Sequence, residues 1–147
     1  MANDAAVEVR RRFRAAPEKV FSAFAEARWV SRWLSPSPDI RLALLQFDFR
    51  EGGMYRFAYH VPGGKIMTVR GAYRLIAPPA KIAFSWIIEP PDEHAGLESE
   101  VTVTITPDGD FTELYIRHEK LTRPGAGPRH AEGWRGALDQ LAELLES

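Results

Sequence analysis

A chain of 147 residues with 45% hydrophobic and 27% charged side chains has the size and texture of one soluble domain, able to bury about 68–70% of its unfolded surface. Its formal charge of -1 gives no general attraction to nucleic acid or anionic lipid, and no apolar run reaches the roughly 20 residues of a membrane span. The absence of cysteine excludes disulfides, thiolate metal sites and cysteine nucleophiles together.

Met1 to Glu8 has neither the basic start nor the apolar stretch of an export signal, so a cytoplasmic location is expected. From Val7 to Arg14, the basic residues Arg10, Arg11, Arg12 and Arg14 alternate with Val7, Val9 and Phe13. That period reads as a strand with a charged, solvated face rather than a nucleic-acid patch. Ala15-Ala16-Pro17-Glu18 then starts a helix with proline in the first turn, where its missing N–H costs nothing, and Val20, Phe21 and Phe24 form its apolar stripe. A second short helix over Ala27–Leu34 carries Val30, Trp33 and Leu34, and Ser35-Pro36-Ser37-Pro38 ends it.

Between Ile40 and Leu121 the chain breaks into short β-rich runs separated by turn chemistry: Glu51-Gly52-Gly53, Pro62-Gly63-Gly64, Pro78-Pro79, a Pro90–Gly96 loop and Asp108-Gly109. Strands are predicted over Ile40–Arg50, Met54–Val61, Lys65–Ile76, Ala80–Ile88, Leu97–Thr106 and Phe111–Leu121. With the first, these make an antiparallel meander of about seven strands. Alternation assigns one face to Val101, Val103 and Ile105, to Leu114, Ile116 and His118, and to Ile82, Phe84, Trp86 and Ile88. Tyr55, Phe57 and Tyr59 share a face by the same parity, as do Val69, Gly71, Tyr73 and Leu75. A final helix over Pro128–Leu145 aligns Trp134, Ala137, Leu138, Leu141 and Leu145. Gly133 and Gly136 inside it each cost about 1 kcal/mol relative to alanine, which asks for a compensating reason or a later helix start.

Several chemistries lack their signatures. His118-Glu119 has Thr122 where a zinc-protease helix needs histidine, Gly63-Gly64-Lys65 lacks the spacing of a phosphate loop, and no Gly-x-Ser-x-Gly elbow occurs. His118 shares the predicted inner face of its strand, as a ligand-orienting ring or as a satisfied structural one. His60 falls on the opposite face from Tyr55, Phe57 and Tyr59, while His94 and His130 lie in a loop and at a helix start. Asp48 and Glu98 are carboxylates that could stand near a cavity mouth, or serve a turn and the surface.

The ordered set Ala16-Pro17-Glu18-Lys19-Val20-Phe21, Ser31-Arg32-Trp33-Leu34, Asp48-Phe49-Arg50-Glu51-Gly52-Gly53-Met54-Tyr55, Gly71-Ala72-Tyr73, Pro78-Pro79-Ala80-Lys81-Ile82, Phe84-Ser85-Trp86, Val101-Thr102-Val103-Thr104, His118 and Gly133-Trp134 resembles the START-like helix-grip superfamily, also called Bet v 1-like or SRPBCC. Within it, the chain is most similar to the group related to the activator of heat-shock protein 90 ATPase. The resemblance implies a single α+β domain, residues 1–147, in which the curved antiparallel sheet wraps the long C-terminal helix around a hydrophobic cavity. It supplies no universal catalytic residue.

Trp33, Tyr55, Phe57, Tyr59, Val69, Tyr73, Phe84, Trp86, Val103, Ile116, His118, Trp134 and Leu138 are the candidates to line that cavity, although the same side chains would close a solid core equally well. The expected partner is a small apolar or amphipathic molecule, with no cofactor and no metal. A cyclase- or hydrolase-type enzyme using the same cavity and a chaperone-interacting co-regulator are the alternatives, and the resemblance by itself does not imply contact with the chaperone. Homodimerisation through a sheet edge or the outer face of the last helix is left open.

Overall fold

The computed structural model describes residues 5–146. Strand β1 (Val7–Phe13) leads into two short helices, α1 (Pro17–Ala25) and α2 (Ala27–Trp33). Strands β2 (Arg41–Phe47), β3 (Met54–His60), β4 (Ile66–Ala77), β5 (Lys81–Ile88), β6 (Glu98–Asp108) and β7 (Phe111–Glu119) follow, and then helix α3 (Ala126–Glu146). The seven strands pair antiparallel in the order β1-β7-β6-β5-β4-β3-β2. Successive strands of the meander are therefore neighbours, and β1 joins the far edge through β7, with Val9 opposite Ile116. The sheet is curved and unclosed, with α3 across its concave face, which is the α+β helix-grip arrangement.

Alternation decides which side chains meet the helices. On β6 and β7, Val101, Val103, Ile105, Leu114, Ile116 and His118 are buried while the intervening residues stay partly solvated. The outward side carries ion pairs, among them Arg10 with Glu113, Arg12 with Asp108, and Arg74 with both Glu98 and Glu100. The arginines of β1 thus belong to a solvated face, where each pair contributes about 0–1 kcal/mol.

Parity fails at two β-bulges. The register of β4 on β5 shifts between Tyr73 and Leu75, which oppose Phe84 and Ala83. Two residues of β4 there span one step of β5, so Leu75 turns outward to 37% exposure and Ile76 takes the inward place. A similar shift between Leu44 and Gln46 exposes Leu45 and brings Phe47 inward. The second strand also ends at Phe47, because Asp48–Gly53 forms a turn in which the Asp48 carbonyl accepts from the Arg50 N–H.

Helix α3 begins at Ala126, two residues before the sequence expectation, so both glycines lie well inside it. Its 21 residues span about 30 Å. The buried stripe runs from His130 and Trp134 through Leu138 and Leu141 to Leu145. Its C-terminal end is held near the start of the chain, where Arg14 N–H donates to Glu146 at 2.8 Å. Trp33 is fully buried edge-on to Phe24, and its indole N–H donates to the Ala23 carbonyl at 2.8 Å, locking α2 onto α1. No helix among the described residues is long and apolar enough to cross a membrane.

Candidate functional site

The N-terminal half of α3 does not close onto the sheet. Gly133 and Ala137 face the gap with almost no side chain, and a cavity of about 440 Å³ lies between them and strands β3, β4 and β5. Tyr59, Met67, Trp86 and Ile88 line it from the strands, and His130, Gly133, Trp134 and Ala137 from the helix. Leu34, Pro36 and Ile40, around the connection from α2 to β2, form a third wall. The exposed residues Lys65 and Glu132 stand on the lining. Such a mainly apolar wall with a few polar groups is the usual make-up of a small-molecule site.

Gly136 explains how the third wall is held. A Cβ placed there would stand 1.9 Å from the Pro36 carbonyl oxygen, whereas one at Gly133 would meet only the Pro36 ring at 4.0 Å. The helix glycines thus have separate reasons: Gly136 admits the backbone of the α2–β2 connection, and Gly133 leaves the cavity its width. Gln140 completes the junction by donating to the Ser35 carbonyl at 2.8 Å.

Behind the cavity, His118 is fully buried. Its Nδ1 accepts from the Trp134 indole N–H at 3.1 Å, so the proton resides on Nε2, which donates to Ser99 Oγ at 2.8 Å. Ser99 in turn donates to the Trp86 carbonyl at 2.9 Å. Both ring nitrogens of His118 thus have partners, and burial, followed by the nearby His130, pushes its pKa well below the ordinary value. A charged ring would also set a second N–H against that of Trp134. His118 therefore fixes the orientation of a cavity tryptophan and does not itself stand on the lining.

His130 occupies the place on the lining that His118 does not. It lies one helical turn before Trp134, its ring 4.7 Å from that of His118, and it is buried. Its Nδ1 donates to the Ala126 carbonyl at 2.7 Å, which leaves the lone pair on Nε2. Burial is the first cause lowering its pKa, so the ring is neutral near pH 7. Beside it, Trp86 Nε1 is buried without a hydrogen-bond partner among the described residues.

The rim is braced by Arg129, which grips Asp92 in a bidentate pair at 2.7 and 2.8 Å. That contact holds the Asp92 pKa down at about 2, and the carboxylate also accepts from the His94 N–H. The pair joins the start of α3 to the loop between β5 and β6, and most of the Arg129 charge is spent within it. His94 is buried in that loop with Nδ1 unpartnered among the described residues, a burial its loop position did not signal.

Of the sequence candidates, Tyr59, Trp86 and Trp134 come together on the cavity wall. Tyr55, Phe57, Tyr73 and Phe84 instead surround a second space of only about 10 Å³, room for about one water. Trp33, Val69, Val103, Ile116, His118 and Leu138 line neither space; all are buried. Asp48 stands in the β2–β3 turn paired with Arg50, and Glu98 pairs with Arg74 on the outer face, so neither is at the cavity mouth. Sequence reasoning gave little weight to His130, although its spacing of four from Trp134 puts both on one helix face. Among the described residues no group of acidic or histidine side chains could hold a metal ion.

The model of the family described as Activator of Hsp90 ATPase homolog 1-like protein matches residues 14–146. Among solved structures, protein CV1439 from Chromobacterium violaceum is similar at 25% identity with a TM-score of 0.85, over 98% of this chain and 99% of that one. The AHSA1 protein SPO3351 from Silicibacter pomeroyi is similar at 26% identity with a TM-score of 0.86, over 97% and 98%. A protein from Arthrobacter aurescens, 20% identical over 99% of this chain and 88% of its own, shares the fold with a TM-score of 0.86. No protein with a curated description matches the sequence.

Proposed function

We propose that this chain, which belongs to the family of Activator of Hsp90 ATPase homolog 1-like proteins, binds a small, largely apolar molecule between α3 and strands β3–β5. The observation that carries this reading is the cavity of about 440 Å³, within the range of small-molecule sites. Two tryptophans, Trp86 and Trp134, stand on its wall and offer flat apolar surfaces for ligand packing. The START-like fold commonly serves ligand binding, which supports the same reading.

Native mass spectrometry of protein purified from its own host tests it, together with the variant Gly133→Leu, whose side chain would grow into the cavity. The expected result is a small molecule retained by the wild type, released on denaturation and missing from the variant. Folded wild type that carries nothing and binds no apolar probe would overturn the proposal.

A further inference from the structure

The polar groups on the cavity wall restrict what its occupant can be. His130 has one nitrogen committed to the Ala126 carbonyl and no second hydrogen-bond partner among the described residues. Its free Nε2 carries a lone pair, so it asks the ligand for a hydrogen-bond donor. A carboxylate would bring lone pairs against a lone pair, and an ammonium would need an acidic partner that the buried wall lacks. Arg129 is already neutralised by Asp92, while Lys65 and Glu132 are exposed and of opposite sign. The wall therefore favours a neutral occupant.

A neutral donor can be an O–H or an N–H, and two further groups separate these. Buried Tyr59 stands on the same wall, and burial raises the pKa of its hydroxyl, so it stays protonated and seeks an acceptor. Trp86 has a buried N–H in the same need, its ring centroid 6.4 Å from that of His130. A hydroxyl both donates and accepts, whereas an amine-type N–H in an aromatic ring only donates. Building on the cavity-binding reading above, we propose that the ligand is a neutral, mainly apolar alcohol or phenol whose hydroxyl donates to His130 Nε2, with its lone pairs available to Tyr59 or Trp86.

The test uses three probes of one shape: naphthalene, 2-naphthol and 2-methoxynaphthalene, each titrated into the full-length protein with tryptophan fluorescence as readout. Naphthol should bind about tenfold more tightly than either other compound, a preference within reach of one well-placed buried hydrogen bond. In His130→Phe that preference should vanish, read as the ratio of naphthol to naphthalene affinity within the same variant. The wild-type comparison stands alone even if the variant fails to fold. Equal affinity for naphthol and naphthalene, or a preference that survives in His130→Phe, would overturn the hydroxyl proposal and leave cavity binding standing. Binding of none of the three would overturn the hydroxyl proposal, and in protein that also carries no molecule from its host it would remove cavity binding as well.

Discussion

The two ends of the concave face are built from the same kind of residue and reach opposite outcomes. At one end Tyr55, Phe57, Tyr73 and Phe84 meet Phe24, Val30 and Leu34 from the first two helices and their following loop, and the space left is about 10 Å³. At the other, Tyr59 and Trp86 on the sheet face Gly133 and Ala137 on α3, beside Trp134 of the same helix, and about 440 Å³ stays open. Aromatic content on a sheet therefore does not distinguish core from cavity. What distinguishes them is the size of the residues on the opposing element, because a large ring closes a gap only when another side chain interdigitates with it.

The sharpest way to break this comparison is one substitution at each end. Phe84→Ala removes a ring packed against Tyr55 and Tyr73 at centroid distances of 5.9 and 5.7 Å. It should cost about 3–5 kcal/mol in urea unfolding, while probe affinity for the surviving folded protein changes by less than about threefold. Gly133→Leu should do the reverse, abolishing probe binding with a stability change of about 1 kcal/mol or less. If Phe84→Ala is nearly neutral, the packed end is not packed, and the contrast between the ends fails.

A smaller effect is expected behind the cavity, at His118. Replacing it by Phe leaves the Trp134 N–H without its acceptor, which should cost about 1–3 kcal/mol. The wild type should also carry a characteristic pH dependence. His118 and His130 are held neutral in the fold, with pKa values below the ordinary one, so the unfolded chain binds more protons once the pH falls below about 6.5. Stability from this source is complete above that pH and is lost as the pH drops towards the depressed folded values. Asp92 acts in a more acidic window, since its contribution is lost only as the pH falls from its usual value of 3.8 to about 2. Urea titrations between pH 7.5 and 5 should show a declining midpoint whose slope is shallower in His118→Phe. An unchanged slope would mean that the ring is charged or solvated.

The pattern of the sequence made the architecture legible and left the site mostly hidden. Strict alternation on β6 and β7 predicted their inner faces, because a period of two survives wherever pairing is regular. It mispredicted Leu75, because a bulge is a property of two strands and leaves no mark in the period of one. The helix-grip resemblance correctly implied the sheet and helix, and its family is the one the chain belongs to. The site itself depends on pairings across the fold: whether Tyr55 or Tyr59 faces open space is decided by residues roughly 25 to 80 positions away in sequence, on α1, α2 and α3. His130 was visible only as a member of the Trp134 stripe, and reading the start of α3 two residues late put it in an opening turn.

The smallest expected effect is also the one that isolates the helix from the ligand. Gly133→Ala and Gly136→Ala add the same methyl group to the same helix, three positions apart, and each gains about 1 kcal/mol of helix propensity. At Gly136 the methyl would stand 1.9 Å from the Pro36 carbonyl oxygen, and a second backbone atom lies at 2.9 Å. The α2–β2 connection would have to move, at a cost of about 1–3 kcal/mol that outweighs the gain. At Gly133 only the Pro36 ring is in reach, at 4.0 Å, so the propensity gain should persist and the protein should become more stable by up to about 1 kcal/mol. Opposite shifts in the urea midpoint are therefore expected. A destabilised Gly133→Ala would mean that the wall at this position is already closed, which would remove the physical reason for the cavity's width.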